Sequence, residues 1–194
     1  KSTQKITSAM KMVAAAKLRR AQEAAEAARP FSNRMERMLN SVASSVANQE
    51  GASPMLVGTG KQDTHLLIVC TANRGLCGGF NGSIVRQTRR VANELIAAGK
   101  TVKMLFVGRK GHDVLKREFA GNVVDVINDI GKKRVEYHEA LSVSDIVTGM
   151  FEAGDFDVAT IVFNKFQSVM TQIVTEQQLI PFSPSEDADA EPVT

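Results

Sequence analysis

His65-Leu66-Leu67-Ile68-Val69-Cys70-Thr71 runs through Ala72 into Asn73-Arg74-Gly75-Leu76-Cys77-Gly78-Gly79, and Ile84, Val85, Val91, Leu95 and Ile96 then follow at helical spacing. A short apolar run bounded by turn residues is a strand of buried type, and the glycines turn the chain into the helix behind it. Gly99 closes that helix, and the pattern then repeats. A strand is expected over 101–107, a short helix over 109–119, a third strand over 123–127 and a helix over 137–153 that carries Leu141, Ile146, Val147, Met150 and Phe151. Strand and helix in alternation predict an α/β domain with a mainly parallel sheet and right-handed crossovers. The runs 158–166 and 169–180, split by Gln167-Ser168, predict a closing hairpin. The domain therefore spans residues 64–180. Residues 51–63 are a linker before it, and 181–194, with Glu186, Asp187, Asp189 and Glu191, are an acidic linker or disordered tail.

Residues 1–50 have another character, rich in Ala, Met, Lys, Arg and Glu, and read as helix by propensity. Ala14, Ala21, Ala28, Met35 and Val42 recur at heptad spacing, with Leu18, Ala25, Ser32, Leu39 and Val46 four positions later, which is the a and d seam of a coiled coil. Ile6, Met10 and Val13 continue the stripe upstream, shifted by one. At about 1.5 Å per residue the helix is roughly 70 Å long, so most of it projects from a domain of this size. Pro30 removes a backbone donor and predicts a kink or a helix junction, with the unbroken heptad phase favouring a kink. Small seam residues let two backbones approach closely. A lone long helix gains little without a partner, and no second long heptad segment exists in this sequence, so the partner helix is expected outside it.

The 194 residues carry 24 Lys and Arg against 21 Asp and Glu, a net charge of +3 that is too small for a polycation coating nucleic acid. An absent Trp and an aromatic share of 5% argue against stacking platforms for single strands. No apolar run approaches the roughly 20 residues of a membrane helix, and no signal peptide is expected. Cys70 and Cys77 lack C-x-x-C spacing and read as reduced thiols, Cys70 as a small hydrophobe on its strand and Cys77 as a somewhat reactive turn residue. His65, His112 and His138 are far apart and fit no metal spacing, so no metal and no cofactor is expected. The glycine turn reads Gly75-x-x-Gly78-Gly79-x-x-Gly82, which is not the dinucleotide fingerprint G-x-G-x-x-G, and Gly60-Lys61 lacks both the leading Gly and the hydroxyl of a P-loop. Gly75, Gly78 and Gly79 read as structural turn residues. The charge is uneven: Lys11, Lys17 and Arg20 lie along one flank of the first helix, and Arg86, Arg89 and Arg90 cluster on the helix after the glycine turn. Such a stripe suits an acidic partner and contacts of about 0.2–1 kcal/mol each that form and break easily.

Two runs are recognisable. Thr3-Gln4-Lys5-Ile6-Thr7-Ser8-Ala9-Met10-Lys11-Met12-Val13-Ala14-Ala15-Ala16-Lys17 and Arg74-Gly75-Leu76-Cys77-Gly78-Gly79-Phe80-Asn81 resemble the two signatures of the gamma subunits of F-type ATP synthases, in matching order and separation. The resemblance covers essentially the whole chain. It implies a long coiled-coil helix beside a small Rossmann-like α/β domain, and a non-catalytic central-stalk rotor. Rotation driven by ion flow through the membrane c-subunit ring would carry the beta subunits of an alpha and beta hexamer through their nucleotide states, coupling ATP synthesis to proton transport.

The resemblance further implies an epsilon subunit (delta in mitochondria) as neighbour and a second, C-terminal shaft helix of the same polypeptide, expected beyond Thr194. About a dozen residues are expected before Lys1. The implied place is peripheral, on the cytoplasmic face of a bacterial inner membrane or the matrix face of a mitochondrial one. Ile6, Met10 and Val13 would sit in the upper shaft, and Lys11, Lys17, Arg20, Arg74, Arg86 and Arg89 match cationic positions near acidic loops of the beta subunits. Asn73 stands where the family commonly has Asp, and Glu23 where a further base is common. No regulatory dithiol of the plastid kind is expected. A second reading from the residues alone is a stand-alone α/β nucleotide- or phosphate-binding domain with a helical dimerisation arm.

Overall fold

The computed structural model describes residues 2–46, 51–128, 130–131 and 135–183. One helix, α1 (Ser2–Val46), holds 45 residues and runs unbroken through Pro30, so the helix junction considered above does not occur. No described residue of α1 is buried, and its seam residues Leu18, Met35, Leu39 and Val42 all stand exposed. A four-residue helix, α2 (Pro54–Val57), follows inside the expected linker. Most of the expected tail, residues 184–194, lies outside the described residues.

The remaining elements alternate as the hydrophobic pattern predicts: β1 (Thr64–Cys70), α3 (Phe80–Ala97), β2 (Thr101–Val107), α4 (Arg109–Leu115), β3 (Val123–Ile127), α5 (Tyr137–Glu152), β4 (Val158–Phe166) and β5 (Gln172–Ile180). A short 3₁₀ turn, Ala120–Asn122, leads into β3. Five strands form one sheet in the order β3-β2-β1-β4-β5, parallel except for the antiparallel β4 and β5 pair. The hairpin starts its return strand three residues later than expected, because Gln167 and Ser168 donate to the Thr171 carbonyl and hold the intervening residues in a turn.

Central β1 explains the two-sided core. Successive strand residues point to opposite faces, so Leu67 and Val69 pack with Ile84 and Val85 of α3 and Leu115 of α4. Leu66 and Ile68 pack on the other face with Val147 of α5, Phe156 and Ile180. Helices on both faces of a mainly parallel sheet are what its near-continuous apolar strands require.

Two polar devices set the strand ends. The Asp157 carboxylate, just before β4, accepts from the backbone N–H groups of Asp63 (2.9 Å) and Thr64 (3.0 Å) and from the Thr59 hydroxyl (3.4 Å), pinning the start of β1 to the start of β4. At the opposite end Thr71 donates its hydroxyl to the Gly108 carbonyl (3.2 Å) and accepts from the Gly111 N–H (2.8 Å). That approach demands glycine. Gly108 has φ +100°, and a Cβ there would lie 1.8 Å from the Thr71 carbonyl oxygen.

Among the described residues two buried side-chain atoms lack a hydrogen-bond partner, Asn40 Oδ1 and the hydroxyl of Thr88, and Thr88 of α3 is fully buried. An orphaned buried hydroxyl costs about 1–3 kcal/mol, so Thr88→Val should raise stability by about 1 kcal/mol and Thr88→Ser should lower it, both read from urea midpoints. The Asp157 carboxyl is held below its ordinary value of 3.8, first by the Thr64 N–H and further by the Asp63 N–H, Thr59 and Lys61. A depressed folded value makes its contribution complete above 3.8 and lost as pH falls through the folded value. Asp157→Asn should lower stability at neutral pH and flatten the acid limb of the stability curve below pH 4, measured by urea unfolding from pH 2 to 7.

Candidate functional site

The glycine turn is braced at both ends by asparagines. The Asn73 side-chain oxygen accepts from the Arg109 N–H (3.2 Å) and its amide donates to the Ile130 carbonyl (3.4 Å). The Asn81 oxygen accepts from the Ala72 N–H (2.9 Å), and its amide lies 3.0 Å from Cys77 Sγ. The carboxamide at Asn73 thus makes a backbone donation that a carboxylate could not. Between the braces the residues from Arg74 to Gly79 are exposed, and Leu76 projects fully into solvent at φ +63°. A non-glycine residue in the left-handed region is uncommon, and Gly78 at φ +57° shares the bend.

The expected cations sort into two groups. Arg89 is half-buried and paired with Glu118 of the α4 to β3 connection at 2.7 Å, and Arg90 bridges Glu94 and Glu176 at 3.1 Å. Gln87 also bonds Glu176. These side chains fasten α3 to its neighbours. Arg74, Arg86, Lys11, Lys17 and Arg20 are exposed, with no ion pair among the described residues. Arg74 and Arg86 stand near the N-terminal end of α3, where a Cβ on Gly82 would meet the Arg86 guanidinium at 3.4 Å.

One expectation about α1 needs correcting. Lys11 and Arg20 are nine positions apart, about 180° round a helix that advances about 100° per residue, so a continuous α1 puts them on opposite sides. Lys17 borders the face of Ile6, Met10, Val13 and Ala14. Glu23, which stands where the resembled family commonly has a base, pairs with Arg19 at 2.8 Å.

A cavity of about 330 Å³ opens at the C-terminal ends of β1, β2 and β4, beside the place where the strand order reverses. Ligands of open α/β sheets bind at such points. Here the lining includes Cys70, Thr71, Asn73, Phe80, Phe163 and Asn164 and carries no charged side chain. Its amides are engaged: Asn164 donates to the Phe80 carbonyl at 3.1 Å. Burial pushes the Cys70 thiol up to about 11, as suits a packed apolar group. Cys77 is exposed.

His65 bonds the Gln62 carbonyl at 3.2 Å, and burial lowers its pKa. His112 stacks edge-on against Phe106, and His138 faces Glu136. Among the described residues no cluster of metal-ligating side chains forms, and no helix is long and apolar enough to cross a membrane.

A long helix with an open apolar seam, an α/β sheet and a projecting Arg-Gly-Leu-Cys-Gly-Gly turn match one family over the whole chain: the family model described as ATP synthase covers residues 1–194. The chain belongs to the ATP synthase gamma-chain family. It is 58% identical over 183 residues to the ATP synthase gamma chain of Rhodospirillum rubrum, covering 94% of this chain and 61% of the relative. To that of Paramagnetospirillum magneticum it is 54% identical over 188 residues, covering 97% and 64%. The chain therefore spans less than two thirds of the length of these curated relatives. Among solved structures, the central stalk and c-ring of the Tetrahymena thermophila mitochondrial ATP synthase contains a similar chain. Its TM-score is 0.71 at 29% identity, covering 91% of this chain and 72% of that one.

Because Arg89 is engaged with Glu118 whereas Arg86 has no ion pair among the described residues, the two should separate in stability measurements. Arg89→Ala should lower the unfolding midpoint by an amount worth about 0.5–1 kcal/mol. Arg86→Ala should leave it within about 0.5 kcal/mol of the parent.

Proposed function

We propose that this chain is a central-stalk rotor subunit of an F-type ATP synthase, carrying rotation between an ion-driven membrane c-ring and a catalytic hexamer of alpha and beta subunits. The observation that carries the reading is α1: 45 residues of helix with an apolar seam that no described element covers. Such a seam needs a second helix, and the small residues Ala14, Ala21, Ala25 and Ala28 keep the pair slender enough to turn inside a sleeve. A second shaft helix of the same polypeptide is the proposed occupant. The chain works as a transmission element, and bond-making belongs to the beta subunits. Its place is peripheral, on the cytoplasmic face of a bacterial inner membrane, which the bacterial relatives favour. An epsilon subunit is the proposed neighbour at the foot.

The unpaired cations are the natural contacts for acidic loops of the beta subunits. Exposed ion pairs worth about 0.2–1 kcal/mol each hold a register without locking it, which is the property a rotating contact requires. The competing reading, a nucleotide- or phosphate-binding domain, loses support from a cavity at the strand ends whose lining bears no cation.

The test is native mass spectrometry of the complex recovered with this chain. A single copy travelling with nucleotide-loaded alpha and beta subunits is expected, and a nucleotide-loaded homodimer would sink the rotor reading. Within the complex, Lys17→Ala, Arg20→Ala and Arg86→Ala combined should lower the ratio of ATP made to ions moved while the α/β domain stays folded. Arg89→Ala should act mainly on stability.

A further inference from the structure

Arg29 is an exposed cation in the middle of α1, yet its guanidinium reaches the α/β domain. It donates to the Phe166 carbonyl at 2.9 Å across a sequence separation of 137, and it lies over the Phe166 ring at 5.8 Å from the centroid. One side chain thereby holds both a backbone acceptor and an aromatic face, which a planar guanidinium can do and an ammonium on a flexible stem does poorly.

The two anchor points are unlike their neighbours. Phe166 is the last rung of the β4 and β5 ladder, paired with Gln172, and the turn beyond it is closed by the bond from the Ser168 N–H to the Thr171 carbonyl. β4 continues from there into the core, where it pairs in parallel with β1 from Val158 to Val162. A pull on the Phe166 carbonyl is therefore taken by a strand with buried neighbours on both sides of the sheet.

On the helix, Arg29 immediately precedes Pro30, which has no N–H to give the Glu26 carbonyl and so marks a weak point of α1. Arg29 also follows the seam residue Ala28 by one position, about 100° round the helix. The domain is held beside the seam, leaving the seam open.

We propose that Arg29 is a positioning residue that fastens the α/β domain to α1, so that domain and helix turn as one body. The turning rests on the rotor reading; the fastening does not.

Nitroxide labels at Ser44→Cys and Met170→Cys, both exposed, with Cys77→Ser as background, report the geometry between α1 and the hairpin tip in the full chain. A narrow distance distribution is expected with Arg29 in place. Arg29→Ala should broaden it and add a second population, Arg29→Lys should fall between, and Phe166→Ala should broaden it less than Arg29→Ala because the carbonyl acceptor survives. A distribution as narrow in Arg29→Ala as in the parent, with helix content unchanged by circular dichroism, overturns the proposal.

In the assembled complex the Arg29→Ala variant should also lower the coupling ratio, with Arg29→Lys restoring part of it. Unaltered coupling together with a broadened distribution would show that the fastening is real and the joint rotation wrong. Failure of the chain to enter the complex would remove the rotor reading and leave the distance result to decide the fastening alone.

Discussion

A helix of 45 residues is about 68 Å long at 1.5 Å per residue, whereas the longest strands here hold nine residues, about 30 Å at 3.3 Å each. The apolar stripe of α1 cannot be laid along that sheet. The proposed occupant is another helix of similar length, and the alanines of the seam would set how near it comes. This mismatch of lengths separates the molecule into a rod and a domain. It also explains why the domain carries a complete core of its own, with α3 and α4 on one face of the sheet and α5 on the other. Neither core cluster draws on a residue of α1.

The domain's integrity depends on two ends of β1 being held differently. At its entry, a carboxylate from Asp157 collects two backbone donors and a hydroxyl, an electrostatic clamp that is strong because the acceptor is charged. At its exit, Thr71 lies so close to the backbone of Gly108 that no side chain fits between them. The glycine turn leaves from that fixed point and is braced again by Asn73 and Asn81. Leu76 and Arg74 are presented to solvent as a consequence of those braces.

Periodicity made the regular elements legible. β2, β3 and β4 begin and end where the apolar runs do, since strands buried on both faces need such runs. α2 was missed because four residues opened by Pro54 carry no period to read. The hairpin boundary slipped because Val169 looks like strand, while the hydrogen bonds of Thr171 decide where the turn ends. The candidate cations were legible as residues and not as partners. Arg89 and Arg86 look equivalent in sequence, and only the fold places Glu118 against one of them. Arg29 has no local mark either, because its acceptor lies at the far end of the chain.

The division of cations between paired and free follows from these placements. On α3, Arg89 and Arg90 face acids supplied by the α4 connection and by β5, so they hold the domain together. Arg86 and Arg74 lie toward the glycine turn, where the described residues offer no acid. On α1, Lys11, Lys17 and Arg20 face water for the simple reason that the helix has left the domain behind. Lys11 and Arg20 point in opposite directions, so they cannot serve one flat surface at one time. Exposed pairs made by such cations are worth only about 0.2–1 kcal/mol each, so a contact with either one is easily released.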